Sequence, residues 1–172
     1  MTIANETLAD WNKLDQALAL ASILPCCGSA RWARELVETR PINTETELLE
    51  RSDVIWRALS PDDWDEAFRS HPRIGERKTA TATAQSVEWS RGEQGGIVRS
   101  STEIRAALGQ GNQLYEQRFG RIYIVCATGK SAEEMLADLQ RRLHNDAHTE
   151  LRETVEQQRQ ITRLRLRKWL DL

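Results

Sequence analysis

Apolar residues recur three and four positions apart along most of the chain, and the breaks between these runs are short. A repeat near 3.6 residues predicts helices. Leu8, Trp11, Leu14, Leu18 and Ala21 share one face of a predicted helix, capped by Asn5 and running to about Ser22. The stretch "LPCCGS" breaks it. Ser29 caps a short helix carrying Trp32, Leu36 and Val37, which Pro41 stops. Thr44 and Glu47 have capping-box spacing ahead of Leu48, Leu49, Val54, Ile55, Trp56 and Leu59. In "SPDD" Ser60 is the cap and Pro61 takes the first helical position, while Asp62 and Asp63 favour the positive end of the helix dipole. That helix carries Trp64 and Phe68 toward His71.

The second half follows the same logic with two exceptions. "TATAQSVEWSRGEQGGI" begins as a helix, but Gly92, Gly95 and Gly96 predict breaks or close backbone approaches. "RIYIVCA" has β character, and one short extended segment does not make a sheet. Between them, Ser100 and Glu103 cap a long helix through Leu108, Tyr115 and Phe119, with Gly120 as its C-terminal cap. Ser131 and Glu134 open another helix, and a final one runs from about Thr149 to Leu170. The prediction is an all-α fold: a single compact domain over residues 1–172, about eight helices, and one short extended segment near 122–126.

Composition narrows the classes. A chain of 172 residues buries a substantial core without disulfides. The formal charge is −2 with both signs interspersed, which makes no overall electrostatic case for nucleic acid. Three cysteines, two of them adjacent, do not form a disulfide framework and fit a reducing compartment. No apolar run reaches membrane-spanning length, "MTIANETLADW" lacks the regions of a signal peptide, and "RKWLDL" is not a peroxisomal address. The expected location is cytoplasmic.

Candidate chemistry is sparse when each motif is taken alone. His71 leaves a helix and meets Pro72, which stiffens the backbone behind a side chain able to carry protons near neutrality. By itself this reads as a helix terminator. "ATGKS" matches the end of a phosphate loop, but the required glycine five residues before Gly129 is Ile124, so nucleotide binding is rejected. His144 and His148 make at most half a metal site, and "HNDAH" reads as a turn between helices. Cys126 reads as a packing thiol. Arg159, Arg163 and Arg167 form a basic stripe, most simply a solvated face. Arg165 instead falls on the apolar side, between Ile161 and Trp169. There a cation either snorkels outward or holds an anion. Ser90, Glu93 and Gln94 sit in a glycine-rich setting.

Taken together, the motifs "GSARW", "RPI", "DWDEAFRSHPRIGE", "WSRGEQGG", "YEQRFGRIYIVCATGKSAEEML" and "RRLHNDAHTELRETVEQQRQITRLRLRKWL" occur in this order across nearly the whole chain. The sequence closely resembles the 2-oxo-4-hydroxy-4-carboxy-5-ureidoimidazoline (OHCU) decarboxylases of urate catabolism. The resemblance implies a cofactor-free, metal-free helical homodimer that turns OHCU, a small-molecule substrate, into (S)-allantoin and carbon dioxide, with no nucleic-acid or membrane partner. It places the catalytic roles on His71, Glu93 and Arg165, with Arg163 as the fallback arginine. Substrate contacts fall on Pro72, Ser90 and Gln94, and on backbone at Ile122, Tyr123, Ile124 and Val125. Arg121 and Ile122 depart from the family, in which an aromatic or proline is common just after Phe-Gly. The competing reading is a non-catalytic helical binding module that uses its basic C-terminal helix.

Overall fold

The computed structural model describes residues 5–74 and 83–171. Among them are ten α-helices and a single 3-10 turn at Leu24–Cys26, with no strand. The helices are α1 (Glu6–Lys13), α2 (Gln16–Ile23), α3 (Ala30–Glu38), α4 (Glu45–Ala58), α5 (Pro61–Arg69), α6 (Ala84–Glu93), α7 (Gly95–Val98), α8 (Thr102–Phe119), α9 (Ala132–Arg142) and α10 (Ala147–Leu170). By packing, the chain divides into two compact units. One comprises Met1–Ala67 with Arg159–Leu172, the other Phe68–Gln158.

The first unit is rich in tryptophans, and three of them have a satisfied indole N–H. Trp11 donates to the Ala19 carbonyl (2.9 Å), Trp32 to Ser52 Oγ (3.2 Å) and Trp64 to the Trp56 carbonyl (2.9 Å). Trp11 meets Trp169 edge-on at 5.6 Å, a favoured aromatic geometry. The predicted helix from Asn5 to Ser22 is two helices, because Asp15 accepts from the Leu18 N–H and starts a new one while Leu14 turns extended. Leu14 and Leu18 are exposed, so the single apolar stripe does not exist. Thr44 caps α4 as expected, but Glu47 reaches back to the Asn43 N–H.

The second unit packs α8 against α9 around Tyr115, Tyr123, Met135 and Leu139. Gly120 ends α8 at φ 68°, the left-handed value that favours glycine. Ser131 and Glu134 form the full capping box at the start of α9. Ser101, not Ser100, caps α8. Ser100 instead donates to the Ile97 carbonyl at the end of α7. Residues 81 and 82, read as the opening of a helix, lie outside the described residues; α6 is capped by Thr83 and absorbs Gly92. Segment 122–127 has no regular secondary structure.

On the rim of this unit Arg141 bridges Asp138 (2.7 Å) and Glu153 (2.7 Å). Burial alone would raise the Asp138 carboxyl. Hydrogen bonds from Tyr123 and Arg141, with the nearby Arg142 charge, hold it below the usual carboxylate range. Glu153 is also lowered, chiefly by its hydrogen bond from Arg141. A depressed carboxyl contributes stability that is complete above its unfolded pKa, near about 4, and disappears as pH falls through the folded value. Acid titration followed by circular dichroism should therefore show this contribution fading below about pH 4. Asp138→Asn should lower stability at neutral pH and flatten the acid limb.

Candidate active site

His71 lies just past the end of α5, where its N–H closes a turn on the Phe68 carbonyl (3.1 Å). The side chain is 7% exposed and Pro72 is buried beside it. Two residues on, Arg73 grips Glu116 of α8 with Nε and Nη2 at 2.6 and 3.0 Å. Ile74 packs on the core around Tyr115. The His-Pro pair is thus held at both ends, by a helix terminus and by a bidentate ion pair. The helix-terminator reading of His71 is correct as far as it goes, but the histidine is not exposed.

Ser90 is buried on α6, Glu93 is that helix's last residue, and Gln94 caps it, donating its N–H to the Ser90 carbonyl (3.0 Å). Gly96 explains part of the glycine cluster. A Cβ there would stand 2.7 Å from the Lys130 carbonyl oxygen. Only glycine lets the Glu93–Gln94 segment approach the 127–131 turn so closely.

Segment 122–126 is fixed by three side chains. Tyr123 donates its hydroxyl to Asp138 (2.6 Å), the Ile124 carbonyl accepts from Arg142 (2.8 Å), and the Cys126 N–H donates to Gln157 (2.8 Å). Arg142 is itself 1% exposed. Its Nε donates to Glu150, 0% exposed (2.9 Å), and its Nη2 to Thr154 (3.1 Å). Its guanidinium lies over the Tyr123 ring, 4.8 Å from the centroid. Tyr115 donates to the same Glu150, and Asn145 to its other oxygen (2.8 Å). Burial pushes the Tyr115 and Tyr123 hydroxyls up, so both remain proton donors in this network.

Arg165 belongs to the other unit. It is 1% exposed, which excludes snorkelling. Its charge acts on the buried Cys26 and Cys27; desolvation raises both thiols, Cys27 to about 12, with Arg165 pulling the opposite way. Cys126 is likewise buried, as a packing thiol should be. Arg163 and Arg159 both donate to Asp53 Oδ2 (2.8 and 2.7 Å), and Arg167 to Glu45 (2.8 Å). The basic stripe is therefore paired within its own unit, and Arg163 has a structural task.

His71, Pro72, Ser90, Glu93, Gln94 and Ile122 to Val125 all belong to the second unit and Arg165 to the first. Sequence reasoning did not find Arg142, Glu150, Tyr115 or Thr154. A signal was present, since Glu150, Thr154, Gln158 and Thr162 recur every fourth residue and all are buried. Leu151 and Val155, the apolar residues beside that stripe on the same helix, are only half-buried. His144 lies in the turn after α9, and Asp146 accepts from the N–H groups of His148 and Thr149 at the start of α10. Among the described residues no helix is long and apolar enough to cross a membrane.

Gly96→Ala should lower the melting temperature by the equivalent of about 1–3 kcal/mol, since the carbonyl it meets cannot yield like a side chain. A normal melting curve for that variant would contradict the close approach.

Comparison with known proteins agrees with this architecture. The OHCU decarboxylase family model matches residues 12–167. A bifunctional uric acid degradation protein of Arabidopsis thaliana is 31% identical over 144 residues, covering 83% of this chain and 44% of that protein. The chain thus spans less than half the length of that relative. An OHCU decarboxylase of Haloferax volcanii is 26% identical over 161 residues, covering 93% of this chain and 94% of its relative. A crystal structure of an OHCU decarboxylase in the presence of (S)-allantoin superposes with a TM-score of 0.74. It is 31% identical and covers 87% of this chain and 96% of its own. With the family model matching this chain from residue 12 to residue 167, nearly its whole length, the chain belongs to the OHCU decarboxylase family.

Proposed function

We propose that this chain is a cofactor-independent carboxy-lyase that converts OHCU to (S)-allantoin and carbon dioxide in urate breakdown. In this reading it works as a cytoplasmic homodimer, with residues 1–172 acting as one domain. The observation that carries the reading is the family match over residues 12–167, within which all the proposed site residues fall. OHCU bears its carboxylate and a hydroxyl on the same carbon of an electron-poor imidazoline ring. Loss of carbon dioxide leaves an electron pair that the ring can delocalise, so the protein supplies orientation, charge balance and a proton on one face.

Arg165 pairs with an anionic group of the substrate, a geometry suited to a planar guanidinium. His71, stiffened by Pro72 and working with Glu93, engages the hydroxyl and carboxyl region and manages the proton. Ser90 and Gln94 hold polar substrate groups. Backbone of Ile122, Tyr123, Ile124 and Val125 binds the ring carbonyls and steadies developing negative charge. The Asp53 pairing of Arg163 supports Arg165 as the substrate arginine. The same pairing, with Arg167 on Glu45, weakens the binding-module alternative, because a stripe partly neutralised by two carboxylates has less charge left for a polyanion.

The test generates OHCU in situ from urate and follows the circular dichroism of allantoin. Spontaneous decay gives racemic product, so faster appearance of one enantiomer supports the reading. His71→Ala and Glu93→Ala should each cut that rate about 10²–10⁴-fold while the helical signal is kept. Arg165→Lys should cost about tenfold or more in kcat/KM, since a point charge replaces a bidentate fork. Arg163→Lys should leave turnover near wild type. Near-normal turnover in His71→Ala would refute the catalytic histidine.

A further inference from the structure

A buried side chain and a half-buried one hold the backbone on either side of Val125 from opposite peptide groups. Arg142 donates to the Ile124 carbonyl (2.8 Å), and Gln157 accepts from the Cys126 N–H (2.8 Å). Among the described residues the only cis peptide is at Arg40–Pro41, so both peptides flanking Val125 are trans. In a trans peptide the carbonyl and the N–H point in opposite directions. Anchoring the Ile124 carbonyl on Arg142 therefore turns the Val125 N–H directly away from Arg142. Anchoring the Cys126 N–H on Gln157 likewise turns the Val125 carbonyl away from Gln157. One donor and one acceptor of a single residue are set in direction by groups that face elsewhere.

We infer that Arg142 and Gln157 are positioning residues that aim the N–H and C=O of Val125, as a paired donor and acceptor, at a cyclic amide or urea edge of the substrate. Such an edge offers a carbonyl beside an N–H, the complement of the pair that one residue presents. Arg142 suits the task because its planar fork is itself oriented by Glu150 and Thr154 and covered by the Tyr123 ring. Tyr123, tied to Asp138 at 2.6 Å, fixes the segment one residue upstream of the Ile124 anchor. A lysine at 142 could reach Glu150 or the Ile124 carbonyl but has no fork to hold both. The substrate part of this inference rests on the proposed OHCU reading.

The experiment separates positioning from plain stability. Replacing one member of a buried ion pair leaves the other uncompensated, whereas removing both charges together is often tolerated. The double variant Arg142→Met/Glu150→Gln therefore tests the Ile124 anchor. Gln157→Ala tests the Cys126 anchor at a half-buried position, and Gln157→Glu restores an oxygen acceptor there. Thermal melts, amide hydrogen exchange of residues 122–127 and OHCU kinetics are read on each.

The expected result is cooperative melting with faster exchange confined to 122–127, and KM raised at least about tenfold with a smaller change in kcat, in both the double variant and Gln157→Ala. Gln157→Glu should recover the wild-type KM. Unchanged exchange in 122–127, or an unchanged KM in a folded variant, overturns the inference. If the double variant does not fold, the Gln157 pair decides alone. A wild-type chain that fails to accelerate OHCU loss refutes the proposed function instead, and the exchange data still decide whether Arg142 and Gln157 set this backbone.

Discussion

A guanidinium and a carboxylate with no access to water must satisfy each other, and the second unit is arranged around that requirement. Arg142 and Glu150 are both sealed from solvent. Removing such charges from water costs several kcal/mol each, of order, unless geometry and further hydrogen bonds compensate. Here Tyr115, Thr154 and Asn145 supply those further bonds, and Ile124 gives a backbone oxygen. The network joins α8, the segment after Gly120, the end of α9 and the start of α10. Little in it can shift without stranding a charge. The segment the proposed substrate would touch is thereby kept by an ionic constraint rather than by a sheet.

That constraint also explains why "RIYIVCA" is not a strand. Its composition is β-like, and sequence reasoning gave it extended character without a sheet. What replaces a neighbouring strand is a set of side chains. Arg142 takes one carbonyl and Gln157 takes one N–H. Backbone groups buried away from water need partners, but nothing requires those partners to be backbone.

Legibility in the sequence follows the range of the interaction. Caps are local, and Asn5, Ser29, Thr44 and Ser131 cap the helices they were expected to cap. The split at Asp15 was missed because a continuous 3.6 repeat through Leu14 and Leu18 outweighed a single capping residue, and the structure leaves both leucines exposed. The buried polar stripe of α10 was missed because Glu150 and Thr154 look like solvent residues until Tyr115, 35 and 39 positions away, and Arg142 are known as their partners. For the candidate site, the family motifs named the residues. Spacing alone placed Arg165 on the apolar side of its helix, where it is buried, while the pairing of Arg163 with Asp53 needed coordinates.

The three thiols have a practical consequence. Cys26 and Cys27 are sealed in the first unit and Cys126 in the second. Alkylating reagents attack accessible thiolates, and burial shields these sulfurs until their surroundings open. The chain thus carries an internal reporter in each half. Mass spectrometry of a timed alkylation would read the opening rate of each half separately, with no introduced label.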